Sequence, residues 1–237
     1  MATKNIFVIT DCKENILNNE MWESTADHAI FHLTPVRLVS DRYVFDDCSF
    51  IDLFINDKTD WGAPIPSTFQ YFFKEILEIL IPKDHLLILN VVDLYEGYFE
   101  QNQFVEDVLK PSGYIYFSID KEINGKLYPT LFFECPISNV SILHDIAFPG
   151  TVIDVDGFVL ERSKVGLFES WRAMGNTGTM FRELLRNVYF AFGIWGDQNG
   201  MFITTEKFSI PELKETLSES KLESEIYKYI NEGLEKG

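Results

Sequence analysis

Two carboxylates two residues apart, set in an apolar run, are the residues of this chain best suited to chemistry. They lie in Val152-Ile153-Asp154-Val155-Asp156-Gly157-Phe158-Val159-Leu160. A carboxylate at the end of a strand can meet Mg²⁺ and a phosphate together, because the ion takes oxygen ligands and a carboxylate can also attack phosphorus. The plainer reading of the same residues is a turn. Asp-Gly is a common choice between two strands, and the residues on either side form two short β-like runs.

The string resembles the nucleophile motif of the haloacid dehalogenase-like phosphatases, in which an apolar strand leads into D-x-D-G. The resemblance implies a magnesium-dependent phosphohydrolase, with Asp154 attacking phosphorus and holding the metal and Asp156 serving as acid and base. Phe158 stands where that motif usually carries Thr or Val. A later acid is needed to complete its metal site, and the available one, Asp197 in Gly196-Asp197, also fits a hairpin turn.

Other groups offer less. His28 and His32 are spaced i, i+4 and would share a face on a helix. Pro35 and the β-branched surroundings favour an extended segment there, and two imidazoles do not close a zinc site. His85 and His144 stand in unrelated contexts, so no metal site and no cofactor are expected. Gly175-Asn176-Thr177-Gly178-Thr179 precedes a helix and could cradle an anion, but no Lys follows as in a phosphate loop. One helix end followed by another helix start accounts for those residues. Cys12, Cys48 and Cys135 form no C-x-x-C pair, the usage of a reducing compartment.

Acidic residues crowd one stretch: Asp41, Asp46, Asp47, Asp52, Asp57 and Asp60, which Glu96 and Glu100 could extend. Their spacing is not that of a calcium loop. They read either as a solvated acidic surface or as a docking patch for a basic partner.

The whole chain leans the same way. It has 237 residues, 37 Asp+Glu against 20 Lys+Arg, and a formal net charge of −17. Nucleic-acid binding through a basic surface is disfavoured, since that needs clustered Lys and Arg. No apolar run reaches the roughly 18 residues of a membrane-spanning helix. With 21 Phe and 10 Tyr, the composition is not that of a disordered chain. The first residues lack the apolar run of a signal peptide, which gives the expectation of a cytoplasmic protein.

The elements that must position these groups alternate without a strict βαβ rhythm. Strands are expected at residues 5–10, 29–39 (with Pro35 as an edge or a break), 85–92, 114–119 and 128–133. The last two form a hairpin around Asn124-Gly125. Helices are expected from Ser67 to Leu80 and over residues 98–109, 137–147, 165–174 and 179–192. Residues 194–205 read as a second hairpin. Ser209-Ile210-Pro211-Glu212 has capping-box spacing. The spacing of Leu222, Ile226, Ile230 and Leu234 extends that start into a C-terminal amphipathic helix. The expected fold is α+β, with mixed α/β as the alternative. It is a single domain over residues 1–237, with a weak subdivision near 135–150 and a mostly antiparallel or mixed sheet flanked by helices.

Three functions fit. The first is an acidic, non-enzymatic partner-binding protein, for instance one that neutralises a basic toxin in the manner of an immunity protein. The second is the Mg²⁺-dependent phosphohydrolase using Asp154 and Asp156. The third is a structural or regulatory subunit docking through the C-terminal helix.

Overall fold

A computed structural model of the chain describes residues 3–13, 25, 27–39, 42–44, 59–60, 69–93, 101–123, 126–140, 142, 153–173, 177–194, 201–220, 222, 224–230 and 233–236. Its strands join in one 12-stranded sheet with helices on both faces, an α+β architecture.

In chain order the first elements are β1 (Thr3–Asp11), β2 (Ala29–Val39), β3 (Arg42–Val44) and β4 (Thr59–Asp60). Helix α1 (Phe69–Leu80) and β5 (His85–Asp93) follow. The short helix α2 (Gln101–Phe104) runs into a wider π-turn, Val105–Leu109. Gly113, at φ +72°, then turns the chain toward β6 (Tyr116–Ile123), a conformation glycine adopts without steric cost. Next come β7 (Lys126–Cys135), β8 (Ile153–Glu161), α3 (Val165–Ala173), α4 (Thr177–Asn187), β9 (Phe190–Ile194) and β10 (Met201–Thr205). The chain closes with α5 (Ile210–Glu219), β11 (Ser224–Ile230) and β12 (Gly233–Lys236).

The strand order is β12-β11-β1-β2-β10-β9-β8-β5-β7-β6, with β3 and β4 beside β2. Neighbours are antiparallel except β1 with β11 and β3 with β4. Both expected hairpins form. Ile123 pairs with Lys126 across Asn124-Gly125, and Phe202 pairs with Gly193 in the second hairpin.

The alternation of residues along each strand feeds two cores. On one face Leu87, Leu89, Phe133, Phe190, Phe192, Ile203, Phe31 and Ile9 meet Ile76, Leu77 and Leu80 of α1 and Leu213 and Leu217 of α5. On the other, Ile88, Phe132, Phe158 and Leu160 meet Met180, Phe181, Leu184 and Leu185 of α4. A sheet buried on both sides explains why 85–92 reads as an unbroken apolar run rather than an alternating one.

Several expectations are corrected. Pro35 is not a break, because β2 runs straight through it. The proline falls between the residues of β2 paired with β10, which end at Leu33, and those paired with β3, which begin at Arg37. A residue without an N–H suits that gap. The helix expected to reach Phe192 ends at Asn187, and Phe192 belongs to β9. Of residues 137–147, Ile137–Asn139 form a single 3-10 turn, and most of the remainder lies outside the described residues.

The largest correction is the tail. The capping box forms as expected, with Ser209 accepting from the Glu212 N–H and Glu212 accepting from the Ser209 N–H, and Pro211 in the first turn. Such caps contribute about 1 kcal/mol. The helix then stops at Glu219, and the tail re-enters the sheet as β11, parallel to β1, with β12 turned back upon it. Leu222 belongs to the first core. The C-terminal amphipathic helix is therefore only α5, and no docking helix continues past it. Deleting residues 220–237 should strip β1 of a neighbour and cost the protein its fold. A thermal melt followed by circular dichroism checks this, and a truncated chain that melts like the intact one would contradict it.

Candidate functional site

The sheet registers bring the chain's polar interior residues into one row. Asn90 of β5 pairs with Asp156 of β8, Asp156 with Gly193 of β9, and Gly193 with Phe202 of β10. Phe202 pairs with His32 of β2, and His32 with Thr10 of β1. Directly paired residues point to the same face, here the face that α4 covers. Asn90, His32 and Thr10 are fully buried, and Asp156 is 8% exposed. The Asn90 amide donates to the Leu131 carbonyl at 3.4 Å.

This placement bears on Asp154 and Asp156. Both lie inside β8, a single strand from Ile153 to Glu161 with antiparallel neighbours on both sides. Asp154 pairs with Val92. Asp156-Gly157 is thus neither a turn nor the mouth of a parallel strand. The reason is Gly157. A Cβ built there would lie 2.0 Å from Cζ and 2.1 Å from Cε1 of Phe192, its partner on β9. The glycine exists so that this buried ring can lie across the strand.

The two histidines expected as a loose pair are held separately. His28 Nδ1 lies 3.1 Å from the Thr204 hydroxyl. Burial lowers its pKa, opposed mainly by Glu206 and Asp27. His32 stacks on Phe202, with ring centroids 4.3 Å apart and planes 14° apart, and its Nδ1 lies 3.1 Å from the Thr34 hydroxyl. Complete burial pushes the His32 pKa down to about 3, so the ring is neutral. Among the described residues no three His, Cys, Asp or Glu side chains are grouped so as to hold a metal ion.

The thiols are sealed as well. Cys12 and Cys135 are free and buried. Burial raises the Cys12 thiol far above its ordinary value and pushes Cys135 up to about 12. A thiol kept protonated is not a nucleophile. Cys48 lies outside the described residues.

Sequence reasoning missed an Asp–His pair. His85 Nδ1 donates to the Asp84 carboxylate at 2.9 Å, and the ring meets Tyr189 edge-on, with centroids 4.7 Å apart. The hydrogen bond from His85 is the main reason the Asp84 carboxyl is held below the usual carboxylate range. This is the orientation a general base receives from an acid. Its other nitrogen, Nε2, is shut away from solvent and has no protein partner, so no substrate atom reaches it. Adjacent Asp-His at a strand start was the visible signal. For the polar row it was the single Asn within HLLILNVV.

The acidic patch is only touched by the structure. Asp60 lies in β4, paired with Val44. Asp41, Asp46, Asp47, Asp52, Asp57, Glu96 and Glu100 lie outside the described residues, as do Gly175 and Asn176 of the glycine-containing loop. Where acids are described on the surface, several carry local partners, such as Lys74–Glu78 at 3.5 Å and Arg186–Glu183 at 2.9 Å. Exposed pairs of this kind contribute little to stability.

The fold defines the chain as an α+β protein built on one large, mainly antiparallel sheet. No protein-family model, curated protein or solved structure matches it. No helix among the described residues is long and apolar enough to cross a membrane.

Proposed function

We propose that this is an acidic, non-enzymatic protein that binds a basic protein partner, in the manner of an immunity protein neutralising a toxin. The observation that carries the reading is where the chain keeps its reactive groups. Asp156, His32, Nε2 of His85 and the Cys12 and Cys135 thiols are buried in or beside the sheet. Carboxylates such as Glu75, Asp84, Asp107, Glu206 and Glu215 stay exposed on helices and turns. A surface of net charge −17 speeds encounter with a basic partner and discourages acidic ones. The acids from Asp41 to Asp60, with Glu96 and Glu100, are the docking residues this reading nominates.

The phosphohydrolase reading is weakened by geometry. A nucleophile and its cation need an open crevice at a strand end, whereas Asp156 sits within a strand flanked on both sides. It is tested by assaying the full chain with Mg²⁺ and a generic phosphate ester. No hydrolysis above the buffer rate is expected. Turnover abolished by Asp154→Asn would displace the binding reading.

Partner binding is tested by immobilising the full chain and capturing proteins from the lysate of its source. A basic protein retained at low salt and released as ionic strength rises is the expected result, because exposed charges beyond about 8–10 Å are screened at physiological salt.

A further inference from the structure

We propose that Thr10 and His32 hold a single buried water between them on the α4 face of the sheet. The two residues are direct partners in the β1–β2 register, so their Cβ atoms stand about 4.5–5.5 Å apart on one face. Both side chains are fully buried. The His32 ring is fixed on two sides, by its stack on Phe202 and by the contact of Nδ1 with Thr34 Oγ1. It cannot swing its remaining nitrogen elsewhere without giving up one of them. That nitrogen, Nε2, has no protein partner, and neither has the Thr10 hydroxyl.

Buried polar atoms are paired in the great majority of proteins, with protein or with ordered water. Two such atoms on facing residues of one sheet call for a guest small enough to lie between them and able both to donate and to accept. The guest must also be uncharged. Burial keeps the imidazole neutral, and an ion placed there would lack a counter-charge. A threonine hydroxyl adapts to either direction of hydrogen bond, while neutral Nε2 takes whichever role its tautomer leaves it. Water meets all of these demands, and a metal ion meets none but size.

The experiment is a high-resolution crystal structure of the full chain, with water–protein cross-relaxation measured by NMR on labelled protein. The expected result is one ordered water within about 3 Å of both His32 Nε2 and Thr10 Oγ1, with a persistent water cross-peak at Thr10. Thr10→Val should abolish that peak and lower the melting temperature, whereas Thr10→Ser should retain it. A dry contact, or Nε2 bonded to a protein atom, would overturn the proposal. So would a cross-peak that survives Thr10→Val. If Thr10→Val does not fold, the wild-type protein and Thr10→Ser decide the matter alone.

Discussion

Gly157→Ala should destabilise the protein by about 3 kcal/mol or more, at the upper end of what overpacking a core costs. The added methyl would meet ring atoms of Phe192 at 2.0, 2.1 and 2.6 Å. Real carbon contacts lie near 3.5–4.0 Å, so something must move by more than an ångström. The ring is the candidate, but it is 1% exposed and packs with Phe190, centroids 6.3 Å apart. The backbone is held by β5 on one side and β9 on the other. A double-mutant cycle makes the mechanism specific. Phe192→Ala alone should cost about 3–5 kcal/mol through the cavity it leaves. Added to Gly157→Ala, it should cost clearly less than the sum, since the methyl then enters space the ring has vacated. Denaturant unfolding reads all three values. A Gly157→Ala protein within about 1 kcal/mol of wild type, the centre of ordinary substitutions, would show that the ring does not depend on the glycine.

Acid should undo the protein through His32. The folded pKa is about 3 against an ordinary value of 6.5, and burial is the cause. Between those values the unfolded chain binds a proton that the folded chain refuses. Stability from this residue is therefore intact above about pH 6.5 and falls as pH drops toward 3, by roughly 1.4 kcal/mol per pH unit. Over the full window the loss is on the order of 4–5 kcal/mol, comparable to the whole stability of a marginal domain. His28, also lowered by burial, adds in the same direction. His32→Phe isolates the effect, because a phenyl ring can keep the stack on Phe202 while binding no proton. Its stability should fall less steeply than that of the wild type between pH 6.5 and 5, above the range where carboxylates titrate. Parallel slopes for the two proteins would contradict a neutral, buried His32.

What could be read from the residues alone divides along a physical line. Elements whose signal is local came through: the run His85 to Val92, the Asn124-Gly125 hairpin, the Ser209–Glu212 cap, and the α+β class itself. The failures share one arithmetic cause. Apolar residues four apart satisfy the period of a helix, but four is also a multiple of two, the period of a strand. Leu222, Ile226, Ile230 and Leu234 fit both, and so do Val188 and Phe192. Pairing with β1 and β8 decided for strand. Lys and Glu between them, good helix formers, added to the wrong side of the balance. Tertiary context overrode both signals.

The candidate site was less legible, for a related reason. Asp-Gly reads as a turn or as a phosphatase-like motif because both are local patterns. The fact that explains the glycine, a ring from residue 192 lying over residue 157, spans distant sequence. The polar row is likewise a property of register: its members come from six separate strands, and no spacing along the chain relates them. Net charge is different. It needs no fold to be read, and it speaks to association rather than architecture.

The central claim is that the acidic surface recruits a basic protein, and the most direct measurement is the association rate of the full chain with its captured partner across ionic strength. The rate constant should fall at least tenfold between about 0.05 and 0.5 M salt, with a much smaller change in dissociation, as electrostatic steering requires. Replacing Asp46, Asp47, Asp52 and Asp57 with Asn should flatten that dependence while leaving the melting temperature in place. Failure to retain any basic protein, or an association rate indifferent to salt, would contradict the account.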